Sequence, residues 1–223
     1  LGLPHKMVWR HPFPGPGLGV RILCSPEAKN EILVDEINAY TLSKKKKPYQ
    51  VLPIKSVGVQ GDFRTYRHPG VLLADWTEIE EMEKMATKLI NHYPDINRCL
   101  KLIHKNYTGP MDSVQVKSCS INSERVAMLQ DADAIVTHHL EAENLYENVW
   151  QFPVVLAPVA FNNTGEESII LRPIDSIDAM SASVGKLPWE FFEICAADIL
   201  KDNRISAVFL DVTSKPPGTI EWE

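Results

Sequence analysis

The chain has 223 residues, 44% of them hydrophobic and 23% charged, with a formal net charge of −6 when its seven His are neutral. That composition suffices for a packed core and excludes wholesale disorder. An acidic surface speaks against nucleic acid and against anionic membrane, so any anionic ligand has to be held by a local cluster of donors.

The length suits one large domain or two small ones. No apolar run approaches the ~20 residues a membrane helix needs. The start, Leu1-Gly2-Leu3-Pro4, lacks the charged-then-apolar order of a signal peptide, and without an initiator Met it reads as a piece of a longer chain. Cys24, Cys99, Cys119 and Cys195 are far apart and form no C-x-x-C pair, which predicts reduced thiols in a cytoplasmic protein rather than disulfides or zinc ligands.

Residues 10–19 alternate Pro and Gly, which excludes a helix. The segment reads either as a stiff interdomain linker or as a structured loop lining a site. It is no nucleotide P-loop, because no Gly-Lys-Ser/Thr follows. Val20 to Cys24 predicts a strand, and residues 27–42 predict a short helix burying Ile32, Leu33, Ile37 and Leu42. Lys44 to Lys47 reads as a solvated loop, because no aromatics interleave it. A strand over Val51–Val59 is interrupted by Pro53, which puts it near an edge or a bulge.

Gln60-Gly61-Asp62-Phe63-Arg64-Thr65-Tyr66 follows as a polar loop, either carrying binding groups or forming an ordinary turn with an Asp–Arg ion pair. Thr77-Glu78-Ile79-Glu80 has the form of a capping box. It opens a helix that buries Ile79, Met82, Ala86, Leu89 and Ile90, and Ile96–Ile103 then predicts a strand. Residues 104–122, rich in Gly, Pro and Ser, are the expected boundary between two domains.

The second half repeats this order. A helix over Ser123–Glu143 buries Val126, Leu129, Ala132, Val136 and Leu140. His138 and His139 are adjacent on it, point to different faces, and read as a solvated pair that cannot chelate one metal. Trp150 to Val159 is a strand region carrying the amide Gln151, interrupted by Pro158. A turn at Asn162–Gly165, a strand at Ile169–Arg172 and a helix over Pro188–Leu200 with Phe191, Ile194, Cys195 and Ile199 inward come next. The strand Ala207–Val212 then delivers the tail. Leu52-Pro53-Ile54 answers Ala157-Pro158-Val159, and Ile96 to Leu100 answers Ile205 to Phe209. The expected fold class is therefore α+β, with two homologous subdomains, each a small sheet with helices on one face.

In the tail, Pro216 and Pro217 stiffen the backbone and Gly218 permits a turn or a close approach. Lys215 offers a point charge suited to phosphate, and Glu221 accepts hydrogen bonds from hydroxyls or amines. The alternative reading is a frayed terminus.

His11 to Leu18, Ser56 to Asp62 and Lys215 to Glu223 together resemble the C-terminal dimerisation domain of GMP synthase, the glutamine-hydrolysing ligase that aminates XMP to GMP in purine biosynthesis. The resemblance spans the chain and is closer to the eukaryotic form, whose domain is duplicated. It implies residues 1–19 as a linker from an ATP-pyrophosphatase domain, 20–115 as a first subdomain, and 116–223 as a second that ends in an XMP-binding tail. It further implies XMP contacts at Asp62, Gln151, Lys215, Ile220 and Glu221, with no catalytic residue and no metal ligand in this stretch. ATP and magnesium belong, on this resemblance, to the pyrophosphatase domain, and glutamine hydrolysis to an amidotransferase domain of the same chain. Self-association as a homodimer is the remaining partner it implies. The resemblance departs at Ala207, where the family has an Arg; the matching position of the first half is Arg98. That departure motivates the alternative of a non-catalytic oligomerisation or regulatory module that has lost nucleotide binding.

Overall fold

The computed structural model describes residues 2–8, 10–12, 15–32, 49–61, 63–72, 77–109, 111 and 113–223. In chain order the elements are β1 (Lys29–Ile32), β2 (Tyr49–Val51), β3 (Ser56–Gln60), β4 (Phe63–Leu72), α1 (Ile79–His92), β5 (Ile96–Lys105), β6 (Ser113–Val116), α2 (Ser123–Ala142), β7 (Val154–Ala157), β8 (Val159–Phe161), β9 (Glu167–Leu171), β10 (Ile174–Asp175), β11 (Ser183–Val184), α3 (Trp189–Ile199) and β12 (Ile205–Asp211). A single helical turn, His5–Val8, precedes them.

The main sheet runs β2-β4-β5-β12-β9-β7, with β3 paired to the first part of β4. Its order reads the same from either edge. On each side an outer strand is antiparallel to a middle one, and the middle strand runs parallel to an inner one after a helical crossover, α1 or α3. The two inner strands, β5 and β12, pair antiparallel at the centre. The fold is α+β, but β2, β4 and β5 of one half and β7, β9 and β12 of the other form one continuous sheet instead of two small ones. Pairing β5 with β12 removes two exposed edges that separate sheets would leave open.

Strand β12 is buried along its whole length, as a continuous apolar run on a central strand requires. Ile205, Val208 and Leu210 face the layer of helices, together with Met82 and Ile90 of α1, Leu129 and Val136 of α2, and Phe192 and Cys195 of α3. Ala207 and Phe209 face the other way, into a second cluster with Val114, Val116, Val159, Phe161 and Trp222. Strands β6 and β8 of a small antiparallel sheet, β1-β6-β8, supply part of that cover, and Leu23, Leu52, Ile54, Tyr107, Met111 and Trp222 supply the rest. The face opposite the helices is thus covered within the chain.

Several expected elements shift. Where a helix is expected over 27–42, Lys29–Ile32 is a strand paired to β6; Leu33, Ile37, Leu42 and the four lysines lie outside the described residues. The stretch 104–122 contributes β6, the middle strand of the small sheet, between β1 of one half and β8 of the other. Helix α1 starts one residue later than the capping box implies, with Glu78 at the N-cap and no side-chain cap bond. In α2, Asn122 does cap, accepting from the Arg125 amide. In α3, Ile194 is 46% exposed while Phe192 and Ala196 are buried. The buried stripe there runs through Phe192, Cys195, Ala196 and Ile199, the i, i+3, i+4, i+7 face. His139 is not simply solvated: its Nε2 meets Asp198 Oδ2 of α3 at 2.8 Å.

Pro53 and Pro158 do more than interrupt strands. Each ends a main-sheet strand and sends the chain elsewhere, to β3 after β2 and to the small sheet after β7. The expected polar loop 60–66 is largely the start of β4, and only the turn around Gly61, at φ +64°, separates it from β3. That hairpin forms the wall against which the C-terminal tail is laid.

Candidate functional site

After β12 the tail turns back along β3. Val59 N donates to Pro217 O at 2.7 Å and Val57 N to Trp222 O at 2.9 Å, with Gly58 bridged to Gly218 between them. Gly58 is required there: a Cβ on it would lie 2.8 Å from the Pro217 carbonyl oxygen and 2.9 Å from Thr65 Oγ1. The tail is therefore a docked strand-like segment, and the frayed reading is set aside. The Lys215–Pro216 and Pro216–Pro217 peptide bonds are both cis.

Beneath the tail lie three buried charges. Arg98, Arg172 and Asp211 are 0%, 1% and 0% exposed. Asp211 Oδ2 accepts from Arg98 Nη1 at 2.9 Å, Arg172 Nη1 at 2.8 Å and Trp222 Nε1 at 3.0 Å. The Arg98 guanidinium also lies 4.8 Å from the centre of the Trp222 ring, within cation–π range. Burial, and then the neighbouring Arg172, pull the Arg98 pKa below its ordinary value, while Asp211 acts against that shift.

Four of the five predicted site residues lie in or beside this arrangement. Lys215 pairs its backbone with Ala182 in both directions, and its Nζ donates to Ala179 O at 2.7 Å. The ammonium is thus held by the loop between β10 and β11. Ile220 packs its side chain on Ile174 and Ala182, and its carbonyl accepts from Arg172 Nε. Glu221 has an exposed side chain, and its carbonyl accepts from Arg98 Nη2 at 2.5 Å. Gln151 pairs its backbone with Ile174. The short β10–β11 hairpin is thus the point on which Gln151, Lys215 and Ile220 converge. Asp62 lies outside the described residues; its neighbours Gln60 and Gly61 share a cavity of about 440 Å³ with Pro216 and Pro217.

Gln151 also reaches the Pro-Gly segment, donating from Nε2 to Pro12 O at 3.2 Å. Its Oε1 is buried and has no hydrogen-bond partner among the described residues. It lines a cavity of about 230 Å³ with His11, Pro12, Arg21 and Asp133. His11 holds this segment down by stacking on Tyr146, 4.1 Å between ring centres, and by donating to the Tyr146 carbonyl. The described part of the segment is a structured wall of that cavity.

Sequence reasoning did not single out Arg172 or Asp211. The available signal was a charged residue closing an otherwise apolar strand, as in Ile169-Ile170-Leu171-Arg172 and Val208-Phe209-Leu210-Asp211. A charge so placed has to be paired if the strand end is buried. Ala207, where the resemblance expects Arg, is wholly buried in the apolar layer with Phe209. The guanidiniums that reach the tail are those of Arg98 and Arg172.

Among the described residues no group of three or more His, Cys, Asp or Glu is placed to hold a metal ion, and no helix is long and apolar enough to cross a membrane.

Residues 138–222 match the family model described as GMP synthase C terminal domain. The chain carries a GMP synthase C-terminal domain. The probable glutamine-hydrolyzing GMP synthase of Leptospira interrogans is 37% identical over 228 residues, an alignment that takes in 100% of this chain and 37% of that protein. The GMP synthase of Dictyostelium discoideum is 31% identical over 273 residues, with 100% and 38% covered. That of Helicobacter pylori is 33% identical over 186 residues, with 76% and 36% covered. The chain thus spans little more than a third of the length of these relatives. The matched region of the GMP synthase C-terminal domain takes in β7, β9, α3, β12 and the docked tail.

Proposed function

We propose that this chain contributes XMP binding and self-association to a glutamine-hydrolysing GMP synthase, a ligase that aminates XMP to GMP. The observation that carries this reading is the docked tail, whose Lys215 and Ile220 meet Gln151 on the β10–β11 hairpin. Lys215 supplies positive charge for a phosphate. Gln151, with an unpartnered buried Oε1, suits a polar edge of the base. Glu221 and Asp62 are the acceptors for hydroxyls or ring N–H groups. Lys215 Nζ uses one of its three N–H donors on the Ala179 carbonyl, so the ammonium can keep that bond and still donate to a phosphate.

Residues 20–115 and 116–223 are, on this reading, two related units, and residues 1–19 lead from an ATP-pyrophosphatase domain. That domain and an amidotransferase domain of the same protein supply ATP, magnesium and ammonia chemistry. A cytoplasmic setting suits Cys99 and Cys195, which are buried free thiols.

The second reading is an oligomerisation module without nucleotide binding, favoured by the buried Ala207. Titration of XMP into this chain and into the intact enzyme separates the two. Saturable binding in the intact enzyme, weakened by Lys215→Ala, is expected; absence of XMP binding there would leave the module reading.

A further inference from the structure

Three neighbouring strands bring charge to one spot on the sheet. Arg98 sits on β5, Asp211 ends β12, and Arg172 follows β9. Two residues before Asp211 and Arg172, and two after Arg98, stand Phe209, Ile170 and Leu100, which all face the cluster away from the helices. The period of two along each strand therefore puts the three charges on that same face.

One carboxylate serves two guanidiniums, and most of their other hydrogen bonds go to the tail. Arg98 Nη2 reaches Thr219 Oγ1 at 2.8 Å, Thr219 O at 3.1 Å and Glu221 O at 2.5 Å, as well as Val57 O on β3. Arg172 reaches Thr213 O through Nη1, Thr219 O through Nη2 and Ile220 O through Nε. The carbonyls of residues 213, 219, 220 and 221 are thus held by two planar forks whose own orientation is set by Asp211. A buried ion cluster is a poor way to gain stability alone, since apolar side chains of similar volume generally do as well. Its particular effect here is directional: it sets the path of the backbone that carries Lys215 and Glu221.

We infer that Arg98 and Arg172, bridged by Asp211, are positioning residues for the nucleotide, and that Arg98 acts from the opposite half of the chain, across the β5–β12 junction. The inference rests on the reading that the tail binds XMP. The second unit's site is then incomplete without the first unit.

The test uses the intact enzyme. Arg98→Lys keeps a positive charge beside Asp211 but removes the fork that spans Val57, Thr219 and Glu221. The KM for XMP is expected to rise roughly ten- to hundredfold, the effect of one or two lost bonds to a charged group. The kcat at saturating XMP and the KM for ATP are expected to stay near wild type. Thr219→Val removes a single hydroxyl from the same network and keeps the test decisive if Arg98→Lys does not fold; it should shift the KM for XMP in the same direction by less. Lys215→Ala is the control. A raised KM in Lys215→Ala, with no change in either network variant, overturns the positioning role while leaving XMP binding by the tail intact. A network variant that lowers the melting temperature and kcat but not the affinity for XMP overturns it too. An unchanged KM in Lys215→Ala overturns the XMP reading itself, and the inference with it.

Discussion

Arg98 and Asp211 stand 113 residues apart in the chain, and Arg98 Nη1 lies 2.9 Å from Asp211 Oδ2. The contact crosses the junction between the two halves of the main sheet. It also lies directly under the tail, which Arg98 grips through the Thr219 and Glu221 carbonyls. One ion pair thereby joins the two halves and orients the tail.

Asp211→Asn leaves two buried guanidiniums without their shared counter-charge. Losing one partner of a buried pair costs about 3–5 kcal/mol. Denaturant unfolding of the chain is expected to show a loss of that size. A loss below about 1 kcal/mol, the scale of an exposed pair, would mean that the cluster is solvated in practice.

Gly58→Ala introduces a methyl 2.8 Å from Pro217 O and 3.0 Å from Asn97 Nδ2. The Pro217 carbonyl cannot retreat without losing the amide of Val59. An overpacking cost of about 1–3 kcal/mol is expected, together with faster hydrogen exchange at the Val57 and Val59 amides. Wild-type exchange at both would show that the tail tolerates the methyl.

Acid should loosen the Pro-Gly segment. Burial against Tyr146 lowers the His11 pKa below its ordinary value, outweighing the Tyr146 carbonyl and Asp133, which act to raise it. With a depressed pKa, folded His11 resists protonation while the unfolded chain accepts it. Stability is then lost as pH falls through the unfolded value of about 6.5, and the loss levels off below the folded pKa. Melting temperatures measured from pH 8 to 5 should fall more in wild type than in His11→Gln. Parallel profiles would remove His11 as the cause.

Self-association through the inner edge of β12 is closed, because β5 already occupies it. Any second copy has to bind elsewhere and, we expect, more weakly. Sedimentation of the chain should show monomer at nanomolar concentration and self-association only at higher concentration, and a dimer persisting at nanomolar concentration would contradict this.

Much of the element order was legible in local pattern. The apolar spacing of Ile79, Met82, Ala86, Leu89 and Ile90 marks α1, and all five are buried. The parallel between Pro53 and Pro158 shows in the strand switches that both cause, and the motif at Lys215–Glu223 pointed to the tail. The misplaced features depended on partners. Lys29–Ile32 became a strand because β6 lies beside it. Ile194 turned outward because Phe192 claimed the interior of α3.

By itself, then, the sequence determined which stretches become strands and helices wherever the apolar period was strong, and that the tail would be stiff and polar. Prolines, glycines and side-chain spacing act over a few residues, so they can be read locally. Only the tertiary structure decided that the two halves share one sheet, that β6, β8 and Trp222 of the tail pack on its second face, and that Arg98, Arg172 and Asp211 converge beneath the tail. Those outcomes depend on strand order and register, which bring together residues a hundred positions apart. A lone Arg or Asp at a strand end carries no mark of the partner it will meet.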